Sequence, residues 1–119
     1  MLRSIVVAVL SLLTWSALAA DTTFLLINST GYPIGEMFIS QSELNFWSPN
    51  VLRPPVIKAG ASRQVVIPAS QVSCMVDMKI GFADGGAPAI WQYLDLCELR
   101  KIRLFYDRTS GITTAKYNE

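Results

Sequence analysis

None of the 119 residues is histidine. That excludes Ser-His-Asp and Cys-His nucleophile arrangements and imidazole metal ligation. A Ser-Lys dyad would need Lys58, Lys79, Lys101 or Lys116, and no S-x-x-K spacing marks any of them. Paired carboxylates could run glycoside hydrolysis, with Asp77, Asp84, Asp95 and Glu98 as candidates. A turn accounts for Asp84, however, and the solvent face of a strand for Asp77. Asp95 is the odd one, and its reading is structural: a carboxylate accepting backbone N–H bonds in a loop. Asp84-Gly85-Gly86 is too short for a calcium loop, and no glycine loop is built to cradle phosphate. The sequence therefore predicts no catalytic residue, no metal site and no cofactor.

Two cysteines remain, Cys74 and Cys97. Two thiols without histidine are too few for a metal site, and a redox pair would more naturally be C-x-x-C. A structural disulfide is the expectation, and it needs an oxidising compartment. Among the aromatic residues, Phe46 and Trp47 stand in an irregular stretch with Asn50, where loop residues commonly bind partners; the alternative for Trp47 is that it plugs the core. Trp91 and Tyr93 lie on a strand, where a tryptophan fills a core. Arg100, Lys101, Arg103 and Arg108 are interrupted by Glu98 and Asp107 and read as a solvated face.

The elements that must position these residues are short β-branched and aromatic runs, separated by Gly, Pro, Asn and Ser about every ten residues. Strands are predicted at Thr23–Asn28, Ile34–Ser40, Arg63–Ile67, Cys74–Ala83, Ala89–Tyr93, Lys101–Asp107 and Ile112–Tyr117. Between 41 and 62, Asn45, Ser48-Pro49-Asn50, Pro54-Pro55 and Gly60 break any period. The clearest strand begins at Cys74: Cys74, Val76, Met78, Ile80 and Phe82 share an apolar face. A turn centred on Gly85-Gly86 would pair Ile80 with Trp91, Met78 with Tyr93 and Cys74 with Cys97. It would also point Asp95 inward opposite Val76, at a cost for an unpartnered carboxylate, so pairing is expected to end near Tyr93. The fold class is all-β: a single antiparallel β-sandwich, immunoglobulin-like or related, of about seven strands with one disulfide.

Residues 1–20 read as a signal peptide. Arg3 gives a positive n-region, Ile5 to Leu13 an apolar stretch broken only by Ser11, and Ala17-Leu18-Ala19 a cleavage motif. The stretch is shorter than the roughly 20 residues that span a bilayer. The mature domain, residues 21–119, has 99 residues, the 119 of the chain less the 20 of the leader, enough for one core. Arg3 leaves with the leader, so nine basic residues face nine acidic ones. A neutral domain offers no electrostatic case for nucleic acid or an anionic membrane. The expected location is periplasmic or secreted, without a stable membrane span after cleavage, as a monomer.

Several short stretches carry a resemblance: Asn28-Ser29-Thr30-Gly31-Tyr32-Pro33-Ile34, Trp47 with Ser48-Pro49-Asn50, Cys74 and Asp77, Phe82-Ala83-Asp84-Gly85, Trp91, and Asp95-Leu96-Cys97. In these the chain resembles a group of small exported proteins of Gram-negative bacteria, over nearly the whole mature part. Some of that group carry the name argininosuccinate lyase, which does not fit a small chain without histidine. The resemblance implies fold and compartment and brings no activity. The functional expectation is a non-catalytic binding module of the cell envelope, using the 41–62 segment and a sheet edge or face on a protein or glycan. The alternatives are an inhibitor or immunity-type protein that blocks an envelope enzyme, and a small hydrolase.

Overall fold

The computed structural model describes residues 20–71 and 73–119. The expected leader lies, but for Ala20, outside the described residues. Seven strands follow one another: β1 (Thr22–Asn28), β2 (Ile34–Gln41), β3 (Ser62–Ile67), β4 (Met75–Phe82), β5 (Ala89–Asp95), β6 (Lys101–Asp107) and β7 (Ile112–Tyr117). One short 3₁₀ turn, Ala69–Gln71, joins β3 to β4.

The strands form two sheets, in the orders β3-β1-β6-β7 and β2-β4-β5. Period-two alternation turns Phe24, Leu26, Ile102 and Leu104 of the first sheet toward Met37, Ile39, Met78 and Ile80 of the second. All eight are buried, and each such side chain contributes about 1.5–3 kcal/mol of hydrophobic stabilisation. The molecule is thus the sandwich that the strand spacing predicts. Its order is not that of an immunoglobulin domain, where the first, second, fifth and fourth strands share one sheet. One pair also runs parallel, β1 with β6, from Leu25↔Lys101 to Asn28↔Leu104. A parallel pair needs a long crossover, and here β2 to β5 supply it.

Open sheet edges attract stray pairing, and two of them are dressed by side chains. Along β2, Ser48 N–H donates to Ile39 O at 2.9 Å and Val51 N–H to Met37 O at 2.9 Å. The Ser48 hydroxyl and Asn50 Oδ1 complete the edge by accepting the Ile39 and Met37 N–H groups. At the other side, Trp91 Nε1 donates to Thr114 O at 2.9 Å and Thr113 Oγ1 to Ile90 O at 2.9 Å. These bonds tie β5 to β7 across the two sheets. Asn28, fully buried, locks a third corner: its amide donates to Tyr32 O, Ile57 O and Lys58 O, while Oδ1 accepts from the N–H and hydroxyl of Thr30.

The β4–β5 hairpin departs from the predicted register. Its connection spans six residues, 83–88, with the Gly85 N–H bonded to Phe82 O at 3.1 Å and Gly85 at φ 85°. Ile80 therefore faces Ala89 and Met78 faces Trp91. Next to Trp91, Gln92 and Tyr93 together oppose Asp77 alone, a β-bulge with Tyr93 at φ 59°. The extra residue reverses the alternation that follows. Pairing, expected to end near Tyr93, runs on to Asp95: Leu94 faces the core opposite Val76, and Asp95 is exposed opposite Met75. The disulfide survives the altered register: Cys74 and Cys97 are joined, with Cα atoms 5.0 Å apart. They meet because Leu96 N–H bonds Cys74 O at 2.7 Å, which holds the two chain segments together just past the strands.

Candidate functional site

Asp77 shows how the outer face of the β2-β4-β5 sheet is used. The alternation of β4 places it on that face with Lys79, where a solvent position was expected, yet it is only 2% exposed. The segment after β2 folds back over it. Asp77 Oδ2 accepts the Glu43 N–H at 2.9 Å, and Oδ1 accepts the Tyr93 N–H at 3.0 Å. Both oxygens are occupied by backbone donors, which satisfies a buried carboxylate without a cation. The arrangement is one of positioning.

What Asp77 positions is the loop 42–46. Glu43 and Asn45 both take left-handed conformations, φ 71° and 50°. Such conformations cost of order 1–3 kcal/mol each away from glycine, and persist where neighbouring contacts hold them. Four contacts do so here: Asp77 on the Glu43 amide, Ser42 N–H on Met75 O at 3.1 Å, Ser40 Oγ on the Phe46 N–H at 3.0 Å, and Tyr93 Oη donating to Glu43 Oε2 at 3.0 Å. That last bond and the Glu43 charge hold the Tyr93 phenol above its ordinary value, with burial and the Asp77 charge adding to the effect.

The loop turns two apolar side chains outward. Phe46 is 83% exposed and Leu44 61%. Both line a groove of about 340 Å³ with Ser40, Gln41, Ser70 and Ser73. A second depression, of about 240 Å³, shares Ser70 and Gln71 with the first and ends at Arg53 and Pro68. The groove thus lies between the segment after β2 and the link from β3 to β4.

The three residues expected to bind a partner have separate fates. Phe46 stands free at the groove. Trp47 is half-buried against the sheet, with Lys79 Nζ 4.8 Å from its ring centroid, so a cation already occupies that ring. Asn50 is half-buried and its Oδ1 is taken by the Met37 and Leu52 N–H groups. Within the expected 41–62 segment the sequence did not single out Glu43 or Leu44, and Asp77, considered as a carboxylate on a solvent face, is instead buried. Only the run of turn formers near Asn45 hinted at a shaped loop.

The remaining chemical candidates lie elsewhere. Asp95 Oδ1 accepts the Cys97 N–H at 3.0 Å, beside the exposed disulfide. Asp95, Cys74 and Cys97 form the one grouping of potential metal ligands among the described residues, but its two sulfurs are bonded to each other. At the far end of the sandwich, Arg108 forks onto both oxygens of Asp84 at 2.9 and 3.1 Å and lies 3.5 Å over the Tyr32 ring. Its terminal nitrogens are spent on that contact.

No family model matches the chain, and neither does a curated protein. Among solved structures it is similar to the NMR structure of a protein from Eubacterium rectale. The TM-score is 0.53 at 11% sequence identity, over 89% of this chain and 96% of that one. A likeness at that identity concerns the fold alone.

Proposed function

We propose that this chain is an exported, non-catalytic binding module of the cell envelope that holds a protein partner through the 42–46 loop and the groove beside it. The observation that carries this reading is the exposed Leu44–Phe46 pair on a strained loop pinned by Asp77, Ser40 and Tyr93. Apolar and aromatic side chains held rigid before a partner arrives make efficient anchors, because little entropy is lost on binding. A glycan platform was the other expectation. It loses support because Trp47, the flat ring it would have used, is engaged by Lys79, and Leu44 offers no flat face. Export rests on the leader sequence and on a disulfide whose sulfurs need an oxidising compartment.

The test compares capture by the tagged oxidised protein with capture by its Phe46→Ser variant, from envelope extract after mild crosslinking. One protein partner retained by the first and lost from the second is the expected outcome, with affinity falling by about 2 kcal/mol or more. Equal capture by both would remove the loop from the reading. Phe46 is exposed enough that the variant should melt like the parent, which separates binding from folding.

A second reading draws on the rigidity of the same loop. A pinned loop presenting one apolar side chain suits an inhibitor that plugs an enzyme. It predicts that the captured partner is a hydrolase whose activity falls in the one-to-one complex.

A further inference from the structure

We infer that β3 pairs edge to edge with β3 of a second copy of this chain, joining two sandwiches through one continuous sheet. The surface is separate from the 42–46 loop and from the binding reading above.

Two backbone bonds fix which groups of β3 point outward. The Leu25 N–H donates to Arg100 O on the β6 side of β1, and the Asn28 N–H to Ala61 O on the β3 side, both at 2.9 Å. Successive residues of a strand turn their N–H and C=O groups to opposite edges. Phe24 and Leu26 therefore turn theirs toward β3, where they meet Val65 and Arg63. Ser62, Gln64 and Val66 turn theirs the other way, off the end of the β3-β1-β6-β7 sheet. Among the described residues none of these groups has a hydrogen-bond partner, so in a single copy water must satisfy them.

The other sheet edges are closed. The 48–51 segment covers β2, and Trp91 and Thr113 stitch β5 to β7. An open edge is ordinarily guarded by charge, proline or a bulge. Here the side chains beside the open groups are those of Ser62, Gln64 and Val66, all exposed and uncharged. The one charge on the strand, Arg63, alternates with buried Val65 and Ile67 and is spent on Pro54 O and Val56 O.

A second copy fits this edge without a mismatch. A two-fold axis at Gln64 sets Gln64 against Gln64 of the second copy, and Ser62 against its Val66. Every outward N–H then meets an outward C=O. Arg63 falls opposite Val65 of the second copy, so no like charges are brought face to face. The pairing stops at Pro68, which lacks an N–H, opposite Gly60, which has no side chain to obstruct it. The two-fold also closes the assembly at two copies, since each edge is then used up. A foreign strand could form the same backbone bonds, but this neutral edge offers it no charge to read, whereas the self-match is written into the strand's own sequence.

Sedimentation equilibrium of the oxidised protein over a range of concentrations is the test. The weight-average mass should climb from one copy toward two. Gln64→Pro should weaken association about tenfold or more, because it removes an N–H that the single copy leaves unpaired and the dimer needs. Gln64→Lys should act similarly by setting two cations face to face. An equimolar mixture of Gln64→Lys with Gln64→Glu should recover the parent's association, a mark of the two-fold that does not depend on how β3 tolerates proline. Phe46→Ser should leave the dimer unchanged. One monomeric species at every concentration, which is what the sequence alone leads one to expect, overturns the inference. A dimer indifferent to Gln64→Lys uses another surface and overturns it too. A protein that stays monomeric yet captures a foreign partner, lost with Gln64→Pro, overturns the assignment of the edge to a second copy.

Discussion

Asp77 and Tyr93 face each other across β4 and β5 at the one place where that ladder is broken. The Tyr93 N–H, left unpaired by the bulge, donates to Asp77 Oδ1 at 3.0 Å. The other oxygen of the same buried carboxylate reaches the Glu43 N–H at 2.9 Å. One side chain thus satisfies a bulge and fixes a loop belonging to a different strand connection. Replacing it by alanine leaves two partly buried backbone donors without their acceptor. We expect Asp77→Ala to lower the unfolding free energy by about 2–3 kcal/mol. The Glu43 and Tyr93 amides should also lose hydrogen-exchange protection before the rest of β4 does, and unchanged protection at both would contradict the role given to Asp77.

The Tyr93–Glu43 contact should be visible in a titration. Glu43 accepts the phenol proton and its charge opposes phenolate, so Tyr93 ionises above its ordinary value near 10. A raised value means that the contact stabilises the fold below the unfolded value and that this contribution is lost as pH rises through the folded one. Glu43→Gln should return Tyr93 toward ordinary behaviour in the tyrosinate absorbance. If the two titration curves superimpose, the hydrogen bond does not persist in solution.

Acid should act at the opposite end of the molecule. The Arg108 guanidinium beside Asp84, helped by the Gly86 N–H, holds that carboxyl below the usual carboxylate range. Its contribution is complete above the unfolded value near 4 and disappears as pH falls through the folded one. Asp84→Asn should therefore lower stability slightly at neutral pH and not at all in strong acid, so that the acid limb below about pH 4 flattens. Gly86 bears on the same contact, because a Cβ there would collide with the Arg108 guanidinium. Gly86→Ala should give the same flattened limb by pushing the guanidinium aside.

Cys74–Cys97 closes a loop with a sequence separation of 23. Serine at both positions should cost about 3 kcal/mol, chiefly by freeing the unfolded chain. Urea unfolding measures this, with a lower midpoint and a somewhat steeper slope, because the freed unfolded chain exposes more surface. A loss well below 1 kcal/mol would mean that the reduced chain retains the constraint by other means.

Asn28 holds its corner of the sandwich through donors alone on its amide nitrogen. Its amide donates to three carbonyls from two loops. Asn28→Asp keeps the shape and replaces the donors with a carboxylate facing oxygens. Destabilisation of about 3 kcal/mol or more is expected in thermal melts, larger than that of Asn28→Ala.

Most strands were legible in the sequence because they are local facts. Lys101–Asp107 and Ile112–Tyr117 fall on the observed β6 and β7, where alternating apolar and polar residues meet a turn rich in serine and glycine. The cysteine pair was legible from chemistry and count. The β4–β5 register was not. A bulge adds one residue without a compositional mark, and it reversed the facing of Tyr93 and Asp95. Of the candidate site, the sequence pointed to Phe46, but it also pointed to Trp47 and Asn50, which the fold uses internally.

The sequence by itself determined that the chain makes short strands, one disulfide and no histidine chemistry, because period, composition and thiol count act at close range. Only the tertiary structure decided what the outer sheet face does. Asp77 reads as a solvent-facing acid along its strand and becomes a buried anchor because residues 34 positions away fold over it. Non-local cover of that kind sets which loop is pinned and which side chains, Leu44 and Phe46, stay exposed.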